Sequence, residues 1–422
     1  MKIFKYITLI ALMIFNNPLL AMEEQPAVED IQKESAQEKK AVATIEKLRK
    51  KQPELGAGIK IFGSDENPIS LELEQNDKGE WYPTTNALTK LLNTYEPLKE
   101  YLPGIPKVMV EKSAEAGHRT GAIFVAYRNE NQTAEGAFVK GRPLFFLKIS
   151  AELSKTVPKK LDDLQKGPVG RFGLKAISNP DLPIIVLQEM FFIYQDKNKK
   201  NYTIEVMHLA HGEKIVSIFE HGDLTLIQHC AEKLGRALGL FHVEFMNYHN
   251  STSLAEWTTM IHGDFHLNNV FFDKKNSRVY FIDNGDMHED KLLPFLDLES
   301  IRMRSLIVLT SYRDQRMCEG MAERYQGWKQ YTEQIEKEEE AKHAKKIADN
   351  NANIVIYCLK GYLSAYPLDK RRKVGAYLQQ YLKTEFNIEL ESAKKWSFPH
   401  EKDIESFIAK FDAVFTEAYK QP

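Results

Sequence analysis

The pattern of apolar residues changes once along this 422-residue chain, near position 210. Upstream, from about 105, short runs rich in β-branched and aromatic residues follow one another: KVMVEKS, AIFVAYRN, PLFFLKIS, PIIVLQEMFFIYQ and NYTIEVMHL, with the polar turn DKNKKN between the last two. Runs of this kind bounded by turn formers read as strands, about five of them, and their succession suits an antiparallel sheet. A helix-forming segment at roughly 151–166 interrupts the set. Downstream the period becomes helical. LTLIQHCAEKLGRALGLFHVEF should be a long buried helix, and IVIYCLKGYLSAY, VGAYLQQYLKTEF and IESFIAKFDAVFTEAY continue the spacing toward the C-terminus. The charged run EQIEKEEEAKHAKKIADNN is a solvated helical face. The chain therefore reads as α+β, with a small sheet-rich lobe at 105–210 and a larger, mainly helical lobe at 211–422.

The first hundred residues carry no visible chemistry. MKIFKYITLIALMIFNNPLLA has two lysines, a short apolar run and a small residue at Ala21, the layout of a secretory signal peptide over 1–21. The run is short for a spanning helix, so export with removal of the signal is the expectation, and an uncleaved membrane anchor the alternative. Residues 22–54 are charge-dense and read as a tether. Residues 55–104 form an N-terminal elaboration with turn signals and one amphipathic helix, TTNALTKLLNTYEPLKEYL, which Thr84 or Thr85 can cap. Lys and Arg number 57 against 59 Asp and Glu, a net charge of -2. That balance argues against a nucleic-acid partner and against stable membrane association once the signal is gone. The cysteines Cys230, Cys318 and Cys358 include no C-x-x-C, so they make neither a disulfide framework nor a zinc site.

One stretch resists this bland reading. MIHGDFHLNNVFFDKKNSRVYFIDNGDM, Met260 to Met287, sets imidazoles, amides and carboxylates around two short apolar runs, VFF and VYFI, joined by the turn DKKNS. A core would not want those polar groups, and a solvated loop would not need the apolar runs. Transfer of a nucleotide's terminal phosphoryl group does need such a mixture. It calls for oxygen ligands for magnesium, a carboxylate near the acceptor hydroxyl, and a cation on the phosphates. Asp264 and Asn269 can supply a base and a metal ligand from one loop, and Asp283 a second ligand at the end of the next strand, with Gly285 allowing a sharp turn there.

The pattern H-G-D-x-H-x-x-N followed by I-D-x-G-D resembles the catalytic loop and metal-binding motif of the aminoglycoside phosphotransferase and choline kinase group, which has a protein-kinase-like fold. Typical protein kinases carry H-R-D and D-F-G instead. The resemblance implies a bilobal kinase-like fold with an antiparallel N-lobe, ATP and Mg2+ as cofactors, and transfer of the γ-phosphate to a hydroxyl of a small molecule. It makes Asp264 the catalytic carboxylate, Asn269 and Asp283 the magnesium ligands, and His262 and His266 organisers of the loop. Asp286 matches a second acidic position, and Asp297 the structural aspartate that holds the catalytic loop.

Upstream, Lys148 in PLFFLKIS falls on the third strand, where this fold keeps a lysine for the nucleotide phosphates. SAEAGHRTGAIF resembles the phosphate-covering loop, with Gly117 and Gly121 permitting close backbone approach and Thr120 as a phosphate contact. Glu152 and Glu189 are both open as the acidic partner of Lys148. IEVMHLAHGEKI resembles the hinge between lobes, where Met207 and the backbone from Glu205 to Leu209 would meet adenine.

The acceptor's identity is open. Tyr312, Trp328, Tyr331, Tyr362 and Tyr366 in the C-terminal helices could cage a cationic amine, although aromatics at helical spacing more often belong to a core. The same motifs also admit a kinase-fold enzyme that modifies a protein, or a catalytically inactive pseudokinase acting as a binding module. Export and dependence on ATP are reconciled if the protein works inside another cell, on a target of that host.

Overall fold

The computed structural model describes residues 59–76, 79–94, 108–113, 122–132, 138–151, 162–293, 295–299, 301–302, 304, 328–394 and 401–420. The segments expected as signal and tether, the residues Gly117, Thr120 and Gly121 of the expected phosphate loop, and Glu152, Tyr312 and Cys318 lie outside them. The fold is mixed α and β with several small sheets. It divides into two compact units. One holds the described residues up to Asn179 together with Val186–Leu209; the other holds Pro180–Ile185 and everything from Ala210 onward.

The first unit contains β1 (Lys60–Phe62), β2 (Leu73–Gln75), β3 (Trp81–Pro83), α1 (Thr85–Thr94), β4 (Val108–Lys112), β5 (Ala122–Gln132), β6 (Phe138–Ala151) and α2 (Pro168–Ser178). After β7 (Ile184–Ile185), which belongs to the second unit, come β8 (Gln188–Gln195) and β9 (Asn201–His208). Its main sheet runs β1-β8-β9-β6-β5-β4. Strands β4, β5, β6, β9 and β8 are antiparallel neighbours, and β1 adds to β8 in parallel at one edge. Part of the N-terminal elaboration is thus built into the sheet. Alternation sorts the side chains: Phe124, Leu147, Ile149, Ile204, Val206, Met190 and Phe192 face a core shared with Leu88, Leu91 and Leu92 of α1. Thr84 caps α1 by accepting the Ala87 N–H at 3.1 Å. That helix also closes the sheet's other edge. Asn93 receives the N–H of Val108 at 2.9 Å and donates to its carbonyl at 2.7 Å, and Thr89 receives the Val110 N–H at 3.0 Å. Edge groups that would otherwise invite another strand are satisfied by side chains.

The run PIIVLQEMFFIYQ, expected as one strand, is two. Ile184 and Ile185 pair in parallel with Tyr280 and Phe281 of the second unit, and Gln188 begins the strand that pairs with β9. The chain leaves the first unit for good between Leu209 and Ala210.

The second unit continues with β10 (Glu213–Lys214), α3 (Ile215–His221), α4 (Leu224–Glu244), β11 (Thr258–Ile261), β12 (Val270–Asp273), β13 (Arg278–Phe281), β14 (His288–Lys291), α5 (Trp328–Ser364), α6 (Leu368–Lys394) and α7 (Glu401–Ala418). Asp223 caps α4, accepting the Leu226 N–H at 2.8 Å. Its buried face, including Ile227, Leu234, Leu238 and Phe241, packs on α5. The two helices approach so closely at Gly235 that a Cβ there would lie 1.8 Å from the Cys358 carbonyl oxygen. Only glycine fits at that contact. Cys230 and Cys358 are buried, free thiols on these helices. Strands β12 and β13 form the hairpin expected around DKKNS, with Asp273 accepting the backbone N–H groups of Lys275 at 2.9 Å and Asn276 at 3.2 Å to fix the turn. Among the described residues no helix is long and apolar enough to cross a membrane.

Candidate functional site

Strand β11 ends at Ile261, and a carboxylate 35 residues beyond His262 fixes the loop that follows. Asp297 is 1% exposed. Its Oδ2 accepts the backbone N–H of His262 at 2.7 Å, its Oδ1 accepts that of Gly263 at 3.2 Å, and His242 Nε2 approaches Oδ2 at 3.1 Å. Burial alone would raise the acid's pKa. The hydrogen bond and charge of His242, with the His262 amide, outweigh burial and hold the carboxyl below the ordinary aspartate range. His242 comes from the last turn of α4, and Thr259 Oγ1 of β11 donates to its carbonyl at 2.6 Å. Helix, strand and loop are therefore joined at one buried acid.

The loop's shape follows from two residues. Gly263 has φ +80°, and a Cβ there would stand 2.5 Å from the Asp286 carbonyl oxygen, so the loop lies directly on the turn 284–286. His262 turns inward between Phe265 and Phe281, and its Nε2 donates to the Ile282 carbonyl at 2.9 Å. Burial pushes its pKa down, which keeps the ring neutral. Its Nδ1 is buried with no hydrogen-bond partner among the described residues.

Asp264, Asn269 and Asp283 gather where the hairpin begins and ends. Asn269 closes the short turn Leu267–Asn269, donating its backbone N–H to the His266 carbonyl at 2.8 Å. Its own carbonyl accepts the Ile282 N–H at 3.0 Å, which carries the β12–β13 ladder one step past the Val270–Phe281 pair. Asn269 Nδ2 donates to the Asp264 carbonyl at 3.0 Å and reaches its Oδ2 at 3.5 Å. Asp283 follows Ile282 directly and is held in the left-handed region, φ 59°, ψ 53°. The sharp turn is therefore made at Asp283. Gly285, expected to provide it, is not among the residues with positive φ. Asp264 and His266 are partly exposed, with His266 Nε2 3.8 Å from Asp264 Oδ2. Asp286 is exposed, and its carbonyl accepts His288 Nδ1–H at 2.6 Å.

No protein-family model and no curated protein matches this chain. The chemistry of the site must be argued from its own residues.

The donors suit a hard cation that brings most of its own shell. Among the described residues no group of three or more His, Cys, Asp or Glu side chains is placed to hold a metal ion. The Asn269 amide oxygen and the Asp283 carboxylate are oxygen donors of the kind a hard cation takes, too few for a cation caged by protein alone. Magnesium typically takes one or two protein ligands and fills its shell with water and phosphate oxygens, so this pair fits a magnesium–nucleotide complex.

In the first unit, Lys148 and Met207 lie on the face of the sheet opposite the α1 core. Lys148 stands across from Glu205 in the β6–β9 register, and Met207 across from Phe146. Glu205, 5% exposed, is the acidic residue that the register sets against Lys148, and it accepts from Ser150 Oγ at 3.3 Å. Neither Glu152, outside the described residues, nor Glu189, on β8, had pointed to it. The alternation Thr203, Glu205, Met207 was the available signal. The aromatic cage loses two members. Tyr362 and Tyr366 are 0% and 1% exposed and hydrogen-bonded to each other at 2.7 Å, so they belong to the core. Trp328 and Tyr331 both fall in α5.

Proposed function

We propose that this chain is an ATP- and Mg2+-dependent phosphotransferase that moves the γ-phosphate of ATP to a hydroxyl of a small molecule. The observation that carries the proposal is the gathering of Asp264, Asn269 and Asp283 at one end of the β12–β13 hairpin, on a loop anchored by buried Asp297. A kinase-like arrangement of the fold is supported by the five antiparallel strands of the first unit, the third of which carries Lys148 and the last of which leads out at Leu209.

Bound Mg2+ would neutralise phosphate charge and make the terminal phosphoryl group a better electrophile. Asn269 and Asp283 would hold it. Asp264, partly exposed, accepts the acceptor's hydroxyl proton and aims its oxygen. The Asn269 amide on the Asp264 carbonyl fixes the distance between base and metal ligand, which is the positioning on which phosphoryl transfer chiefly depends. Lys148 would contact the nucleotide phosphates, and the backbone near Met207 the adenine.

The test is ATP consumption by the purified chain against aminoglycosides, choline, sugars and inositol phosphates in the presence of Mg2+. Turnover with one acceptor class is expected, and Asp264→Asn should lower kcat by about 10²–10⁴-fold with the fold intact. An Asp264→Asn protein that keeps its turnover would overturn the proposal.

A further inference from the structure

Asp297 is the near end of a longer chain of buried groups. His242 reaches it through Nε2, and on its other side Nδ1 lies 2.9 Å from Tyr362 Oη. Tyr362 Oη lies 2.7 Å from Tyr366 Oη. Tyr362 is in the last turn of α5, and Tyr366 stands in the corner between α5 and α6. Arg371 of α6 holds that corner, donating Nε to the Tyr366 carbonyl at 3.1 Å and Nη1 to the Ala418 carbonyl of α7 at 3.1 Å. All four side chains of the chain are essentially without solvent contact.

The direction of the first hydrogen follows from the near end. The Asp297 carboxylate can only accept, so His242 presents Nε2–H to it. The other ring nitrogen, Nδ1, is hydrogen-bonded to the Tyr362 hydroxyl, and that hydroxyl to the Tyr366 hydroxyl, so each group in the row holds the next in place and each bond polarises its neighbour. At the far end Asp297 passes that constraint to the backbone N–H groups of His262 and Gly263, the two residues before Asp264.

We infer that Tyr362, backed by Tyr366, is a positioning residue for the Asp264 loop. It fixes the tilt of His242, His242 fixes the Asp297 carboxylate, and the carboxylate fixes the loop backbone. The C-terminal helices thereby set the geometry of a loop distant in sequence. The kinetic part of this inference rests on the phosphotransferase reading; the structural link does not.

Two readouts separate them. In full-length protein labelled with 15N at histidine and glycine, the amide resonances of His262 and Gly263 report the loop without any turnover. Tyr362→Phe keeps the ring and deletes only the O–H, so both resonances should move while the far-UV circular dichroism stays unchanged. In the ATP assay kcat should fall about tenfold with the KM for nucleotide little changed, because the loop and not the nucleotide site is displaced. Tyr366→Phe leaves the Tyr362–His242 bond in place and should give smaller changes in the same resonances. It also serves as the test if Tyr362→Phe does not fold. Folded variants whose His262 and Gly263 amides stay at their wild-type positions would overturn the inference. A wild-type chain with no turnover would sink the phosphotransferase reading alone, and the amide comparison would still decide the link.

Discussion

The two units hold their candidate residues by different means. In the first, Lys148 and Met207 sit on long strands, and their placement follows from register: each has a defined residue opposite, and the strands are held by a continuous apolar core on the other face. In the second, Asn269 ends a three-residue turn, Asp264 lies in the loop before it and Asp283 just past the four-residue strand β13, elements too short to hold a geometry by ladder bonds alone. There the work falls to side chains with several bonds each, above all Asp297 with three donors. A regular sheet tolerates the loss of one side chain because its neighbours keep the backbone in place. A loop tied to a single carboxylate does not. Site and scaffold are separable in the first unit and nearly the same residues in the second.

The hardest test of that contrast is Asp297→Ala. It strands the buried His262 amide and His242 Nε2 and takes the acceptor from the Gly263 amide, and a cost of about 3–5 kcal/mol in unfolding free energy is expected. Under the proposed function, turnover disappears with it. The pH dependence has a definite sign. The native carboxyl is held below its ordinary value, so its stabilisation is complete above the unfolded pKa, about 3.9, and is lost as pH falls through the lower native value. The stability difference between wild type and Asp297→Ala should therefore be constant through neutral pH and shrink below about pH 4. Denaturant titrations across that range check it. A difference under about 1 kcal/mol at pH 7 would mean that the loop is held by other contacts.

The contrast also explains what could be read from the sequence. Helix α4 and the β12–β13 hairpin were legible because period and turn residues agree with the final structure: Asp223 caps, and Asp273 folds the turn. The gathering of Asp264, Asn269 and Asp283 was legible because all three lie within one hairpin and its entry loop. Long-range choices were not. Nothing local in PIIVLQEMFFIYQ marks the break after Ile185, since no Gly, Pro or Asn interrupts it; the break is imposed by pairing with β13. Helix α2 was hidden by Gly167, Gly170 and Gly173, poor helix formers, and exists because Val169, Phe172 and Ala176 bury one face. Gly285 drew the turn away from Asp283 because glycine is the default for positive φ, yet aspartate also tolerates the left-handed region. Tyr362 and Tyr366 were correctly spaced for a helix, but only the tertiary packing puts them inside.

In the first unit the expected effects are smaller. Asn93→Ala removes both partners of the Val108 backbone on the outer edge of β4. Val108 is buried, so its N–H and carbonyl lose bonds that water replaces poorly. A loss of about 1–2 kcal/mol in unfolding free energy is expected, with turnover unchanged. Hydrogen exchange at the Val108 amide should accelerate in the same variant. If turnover fell in step with stability, scaffold and site would be as entangled here as around Asp297, and the contrast between the units would not stand.

The smallest expected effect probes the face of the sheet that carries Lys148. Lys148 and Glu205 face each other across β6 and β9, and Glu205 is nearly buried. A double-mutant cycle with Lys148→Met and Glu205→Gln should give a coupling of about 0.5–1 kcal/mol in stability, the range for opposite charges placed directly across a sheet. Methionine keeps the aliphatic stem of Lys148 against its neighbours and removes only the charge, which confines the comparison to electrostatics. Under the proposed function, Lys148→Met also raises the KM for nucleotide or lowers kcat by about 10–100-fold, far more than its effect on stability would suggest. That disproportion is what a separable site means. A coupling near zero with full loss of turnover would show that Glu205 does not orient the lysine. A large coupling with unchanged turnover would make the pair a structural element of the sheet and leave the phosphates to be bound elsewhere.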